Sequence, residues 1–101
     1  MADWADLRTM LAKDTREFLK TELALGFTLA DVAETEYQLG HCEASERSLA
    51  HGEEAYDTLS RFLQDPKHAG HLTADQLREL NDGAKDLMQK LGEVRRLHTP
   101  R

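Results

Sequence analysis

From Thr73 to His98 the apolar residues Leu77, Leu80, Ala84, Leu87, Leu91 and Val94 follow one another at steps of three and four, and His98 keeps the same phase. That spacing gives a single apolar stripe along one side of an α-helix and fits no strand, whose side chains alternate every second residue. Thr73-Ala-Asp-Gln76 in front of it reads as a capping box, with the Thr hydroxyl and the Gln side chain exchanging bonds with the first turn. Asn81-Asp82-Gly83 is a turn signal inside the stripe. The phase carries across it, so one continuous helix is expected, at a cost of about 1 kcal/mol for Gly83.

The rest of the chain obeys the same rule. Only two prolines occur, Pro66 and Pro100, so long stretches have nothing to interrupt helical hydrogen bonding. Pro66 biases Asp65 away from helix, and "QDPKHAGHL" is expected to be a loop. A second helix should run from about Glu43 to Gln64. Gly40 suits the left-handed position after a helix that ends near Leu39, which makes 40–42 a tight turn between antiparallel helices.

In the first 39 residues, Trp4, Leu7, Leu11 and Phe18 share a helical face that Leu25, Leu29 and Val32 continue. No Pro, Asn or Gly cluster divides them, which favours one helix of about 55 Å against about 33 Å for the next. The expected fold is all-α: an antiparallel up-down-up three-helix bundle with a long first helix. Its alternative is a four-helix arrangement broken near Thr21. With 101 residues, 40% of them apolar, the chain suffices for one domain, residues 1–101. Residues 1–20 would overhang the bundle, and exposed Trp4, Leu7, Met10 and Leu11 would call for a partner, most simply a second copy in a homodimer.

Small residues should line the hairpin seam. Gly26, Ala30 and Ala33 fall on one face before the turn, and Ser45, Ser48, Gly52 and Ala55 on one face after it. Facing stripes of this kind let two helix backbones approach closely. Over residues 26–56 the pattern resembles a single tetratricopeptide-repeat hairpin. With Gly40 matched to its turn glycine, Ala33, Ser45 and Gly52 fall on its small-residue positions, and Leu29, Val32 and Leu49 on bulky ones. The chain departs from the repeat at Glu36, where a tyrosine is usual, and at Asp57, where the closing proline is missing. The resemblance implies a hairpin geometry. It does not imply the family's peptide groove, which needs stacked copies.

A net charge of −6 opposes nucleic acid or an anionic membrane as a partner. Residues 31–57 alone hold eight acids against one base, Arg47. One cysteine allows no internal disulfide, no apolar run could span a bilayer, and the first residues are not a secretion signal, so cytoplasmic residence is the default expectation.

Five histidines and Cys42 are the remaining chemistry. His68 and His71 belong to the loop at one end of the bundle, and His41 and Cys42 to the turn at the other, so the two pairs cannot share a metal within one chain. The best-placed metal candidates are His41, Cys42 and His98, because the last helix returns His98 to the turn. A phosphorelay role for His51 is opposed by Glu53 and Glu54 beside it, and di-iron chemistry lacks its Glu-x-x-His pairs. Nucleophilic catalysis by Cys42 would need a histidine base, and adjacent His41 points elsewhere in most turns. Pairs such as Glu43–Arg47 and Asp57–Arg61 sit at helical i,i+4 spacing and need no function. The expectation is a non-enzymatic interaction or assembly module, without a cofactor, that self-associates or binds another protein. The competing expectation is a bundle that handles a metal or phosphate through its His and Cys residues.

Overall fold

The computed structural model describes the backbone of residues 4–98, and side chains from Lys13 onward. Trp4, Leu7, Met10 and Leu11, the expected self-association residues, have side chains outside the described residues. The chain forms α1 (Trp4–Gln38), α2 (Cys42–Gln64), a single turn α3 (Pro66–Ala69) and α4 (Ala74–Leu97), with no strand among the described residues. Among the described residues, no helix is long and apolar enough to cross a membrane.

The first helix runs through Thr21 without interruption, so the alternative with a break there does not occur. Thr21 Oγ1 instead donates back to Glu17 O at 2.9 Å, satisfying the hydroxyl inside the helix. At 35 residues against 23 for α2, α1 is about 18 Å the longer, and its first turns extend past the hairpin.

Each boundary has a local cause. Gly40 takes φ +83°, Gly40 N donates to Tyr37 O at 3.0 Å and His41 N to Glu36 O at 2.8 Å. This bond pair is a Schellman motif, and it reverses the chain within three residues. Asp65 ends α2 in an extended conformation, then accepts from Lys67 N at 3.0 Å as the cap of α3, with Pro66 preset as its first helical residue. The expected loop therefore contains a helical turn. Both bonds of the Thr73–Gln76 capping box form, at 3.1 and 3.0 Å. Asn81 Nδ2 donates to Leu77 O at 2.9 Å, so the side chain that could have made a turn closes onto the helix instead.

The core lies where α1, α2 and α4 meet. Toward the Gly40 turn, Leu49, Leu87, Leu91 and Val94 pack over Ala30 and Ala33. Toward the Pro66 end, Leu19, Leu59, Leu63 and Leu80 surround Ala84, and Leu23 and Tyr56 border both groups. The stripe residues Leu80, Ala84, Leu87, Leu91 and Val94 of α4 are buried, as their spacing requires, and Met88, off the stripe, is exposed. On α1 the deep positions belong to Leu19, Ala30 and Ala33, flanked by Leu23 and Phe27. Phe18, Leu25 and Val32, which the sequence puts on the continuing apolar face, are 40%, 45% and 41% exposed. The small residues decide this. Gly26, Ala30 and Ala33 turn toward α2 and α4, and helical geometry then rotates the bulkier stripe to the opposite side.

The hairpin seam is correspondingly tight. A Cβ on Gly52 would lie 3.5 Å from Gly26 O and 2.9 Å from Leu91 Cδ2. Ser45 is fully buried in the same seam, and its hydroxyl donates to Ala33 O at 2.6 Å across it.

Candidate functional site

Two places in this fold gather polar or unpaired chemistry: the end of the bundle near the Gly40 turn, and the outer face of the α1–α2 hairpin.

At the first, the last turn of α4 delivers His98 into the seam, where its side chain is 7% exposed. Nε2 lies 2.8 Å from Ser45 Oγ, and Nδ1 lies 3.4 Å from Glu46 Oε1. The Tyr37 ring meets the imidazole edge-on with centroids 4.9 Å apart. One turn earlier on α4, Arg95 bridges Glu46, at 3.0 Å, and Glu53. The hydrogen bond that Arg95 donates to Glu53 raises its pKa above the ordinary value, burial opposes this, and the bond to Glu46 adds to it.

Ser45, His98 and Glu46 stand in the order of a nucleophilic triad, but the proton count is wrong for one. The single Ser45 hydroxyl proton is committed to Ala33 O, so Nε2 must carry a proton and donate to Oγ. An imidazole that donates there cannot take a proton from the same oxygen. Ser45 is also fully buried, out of reach of a substrate. The cluster acts as a polar pin that ties the end of α4 to the hairpin seam. Sequence reasoning put His98 at this end of the bundle. It did not foresee Ser45 as its partner, because that contact spans 53 positions and depends on how α4 docks.

The metal candidates are not gathered. His41 in the turn and Cys42 at the start of α2 are exposed, while His98 faces inward to Ser45. Among the described residues, no group of three or more His, Cys, Asp or Glu side chains converges as a metal site. His51 is exposed beside Glu54 at 3.6 Å, and His68 stacks on Phe62 with centroids 4.2 Å apart. His71 borders a basic corner with Lys13, Arg16 and Lys20.

The second place is apolar. On α1, Phe18, Leu25 and Val32 are spaced by seven residues, and Leu39 in the turn extends the series with 65% exposure. Thr21, Thr28 and Thr35 stand midway between them, and all three are exposed. This is a heptad with apolar residues at one position and threonine at the other, facing away from the core. Phe18 leans on Phe62 of α2 with centroids 5.0 Å apart. Farther along, Glu22, Leu25 and Leu29 of α1 and His51, Glu54, Ala55 and Thr58 of α2 line a shallow groove. The heptad spacing was visible in the sequence; that it points outward was not.

The charge around this face is one-sided. Residues 18–62 hold nine acids against three Lys or Arg, Lys20, Arg47 and Arg61. Lys90 reaches Asp31, at 3.7 Å, and Glu34 on the opposite side of α1, where the Glu34 hydrogen bond raises its pKa. Arg95 holds Glu46 and Glu53. Among the described residues, Glu22, Glu36 and Glu54 have no Lys or Arg within ion-pair distance; Glu36 accepts from Ser48 Oγ, and Glu54 has only His51.

No family model, curated protein or solved structure matches this chain.

Proposed function

We propose that this chain is a small non-catalytic interaction module that seats a helix against the outer face of its α1–α2 hairpin. The observation that carries the reading is the exposed heptad Phe18, Leu25, Val32 and Leu39 with Thr21, Thr28 and Thr35 between. Packed helices use such a repeat to meet a partner helix, and here, apart from the Phe18–Phe62 contact, it lies uncovered among the described residues. α4 covers one side of the hairpin; a helix on the other side would make a four-helix bundle. A second copy and another protein's helix are the two occupants such a face can take. The apolar Trp4, Leu7, Met10 and Leu11 upstream favour some form of association as well.

The test uses the full chain and the Leu25→Gln/Val32→Gln variant, which replaces two exposed apolar residues by good helix formers. Sedimentation equilibrium over a wide concentration range measures self-association. Titration with amphipathic helical peptides carrying basic, neutral or acidic flanks measures partner binding. The reading expects one of these associations in the native chain and its loss in the variant, with the circular dichroism spectrum unchanged. A chain that stays monomeric and binds none of the peptides removes the reading.

A further inference from the structure

We infer that the occupant of the outer face is a basic amphipathic helix from another protein, its apolar stripe laid over Leu25, Leu29 and Val32 and its flanking Lys or Arg residues set against Glu22, Glu36 and Glu54. The inference rests on the proposed docking role of this face and names the partner's chemistry. Shape gives the helix: the groove lies between α1 and α2 and is lined by Leu25, Leu29 and Ala55, with the stripe continuing to Phe18 and Val32. Charge gives the sign. Glu22, Glu36 and Glu54, which border the stripe, are among the acids left over after Lys90 and Arg95 have been matched with Asp31, Glu34, Glu46 and Glu53.

The same charges act against a second copy. A two-fold interface brings one patch against itself, so Glu22, Glu36 and Glu54 of one chain would face the same acidic set on the other. Over residues 18–62 the nine acids outnumber Lys20, Arg47 and Arg61, so the patch stays net negative on each side. An acidic helix would meet the same repulsion, and a neutral one would gain only the apolar contact.

The experiment titrates the full-length chain with three synthetic helices of about three heptads. They share leucine at the core positions and carry Lys, Gln or Glu at the flanking ones. Three exposed ion pairs are worth about a tenfold change in affinity, so the Lys peptide should bind about tenfold more tightly than the Gln peptide, and the Glu peptide more weakly than both. The preference should shrink as salt is raised. Glu22→Gln/Glu36→Gln/Glu54→Gln should bring the Lys and Gln peptides together. Glu79→Gln/Asp82→Asn/Asp86→Asn, which removes the same charge from exposed positions of α4, should leave the preference in place. Three results overturn the inference: equal binding of the three peptides by the native chain, a preference that survives the triple α1–α2 variant, or a homodimer that Leu25→Gln/Val32→Gln dissociates. The last leaves the docking reading standing with a different occupant, whereas absence of every association removes both. The salt dependence is read on the native chain and needs no variant to fold.

Discussion

Replacing Gly26 by alanine tests the seam on which the whole arrangement turns. A Cβ there would stand 2.5, 3.1 and 3.4 Å from Leu87 Cδ2, Cδ1 and Cγ. Carbon atoms rest at about 3.5 to 4.0 Å, so the nearest contact overlaps by about 1 Å or more. Leu87 is fully buried in one cluster with Leu49, Leu91 and Val94, so its methyls can yield only by repacking against those neighbours. Overpacking of this kind costs about 1 to 3 kcal/mol. Alanine meanwhile gains about 1 kcal/mol over glycine inside a helix.

Gly92 supplies the comparison, because it lies in α4 with nothing within 4 Å of its Cβ position. Gly92→Ala should therefore stabilise by about 1 kcal/mol. Gly26→Ala should fall about 1 to 3 kcal/mol below it, which is the overpacking cost with the propensity gain cancelled. Urea midpoints at unchanged slope measure both. A double-mutant cycle with Leu87→Ala should show the clash relieved, since the two side chains compete for the same volume, with a coupling of about 0.5 to 3 kcal/mol. Equal stabilisation by Gly26→Ala and Gly92→Ala would refute the close approach of α1 to the core leucines.

The remaining expectations concern the pin, the cap and the ion pairs. Ser45→Ala leaves the His98 Nε2–H without its acceptor and removes the cross-seam bond to Ala33 O, and should cost about 2 kcal/mol by denaturant unfolding; an unchanged midpoint would mean that His98 is not held there. Thr73→Ala removes the capping box and should lower stability by about 1 kcal/mol, a fall in Tm of about 4 to 8 °C. Lys90 has its pKa raised above 10.5 by the Glu34 hydrogen bond, so its contribution is complete below that pH and is lost as pH climbs through the folded-state value. Lys90→Gln should be less stable than the native chain at neutral pH by under about 1 kcal/mol, and the gap should close above pH 10.5; a gap that widens there would reverse the assignment.

Much of the architecture was written in local sequence. Gly40 dictated the turn because few residues other than glycine sit easily at φ +83°. Thr73 and Gln76 dictated the start of α4, and the stripe from Leu80 to Val94 dictated which side of it would be buried. The small residues of the seam were readable for the same reason: their spacing is a property of one helix at a time. Residues 66–69 escaped because proline signals the end of α2 and equally suits the first position of a new turn, and only the Asp65 side chain decided for the turn.

The fate of the bulky α1 residues could not be read in that way. Phe18, Leu25 and Val32 on one side, and Leu19, Leu23 and Phe27 on another, are both plausible core faces for an isolated helix. Which of them is buried depends on where Gly26, Ala30 and Ala33 allow α2 and α4 to approach, and that is a property of three helices together. The Ser45–His98 contact is likewise set by the docking of α4 onto a hairpin more than fifty positions away. Sequence alone thus determined that the chain is helical, where it turns and which residues are small enough for close contact, since those follow from backbone preference and helical period. The tertiary structure decided which apolar face stays in water and whether His98 looks outward or in, since both depend on the relative rotation of packed helices.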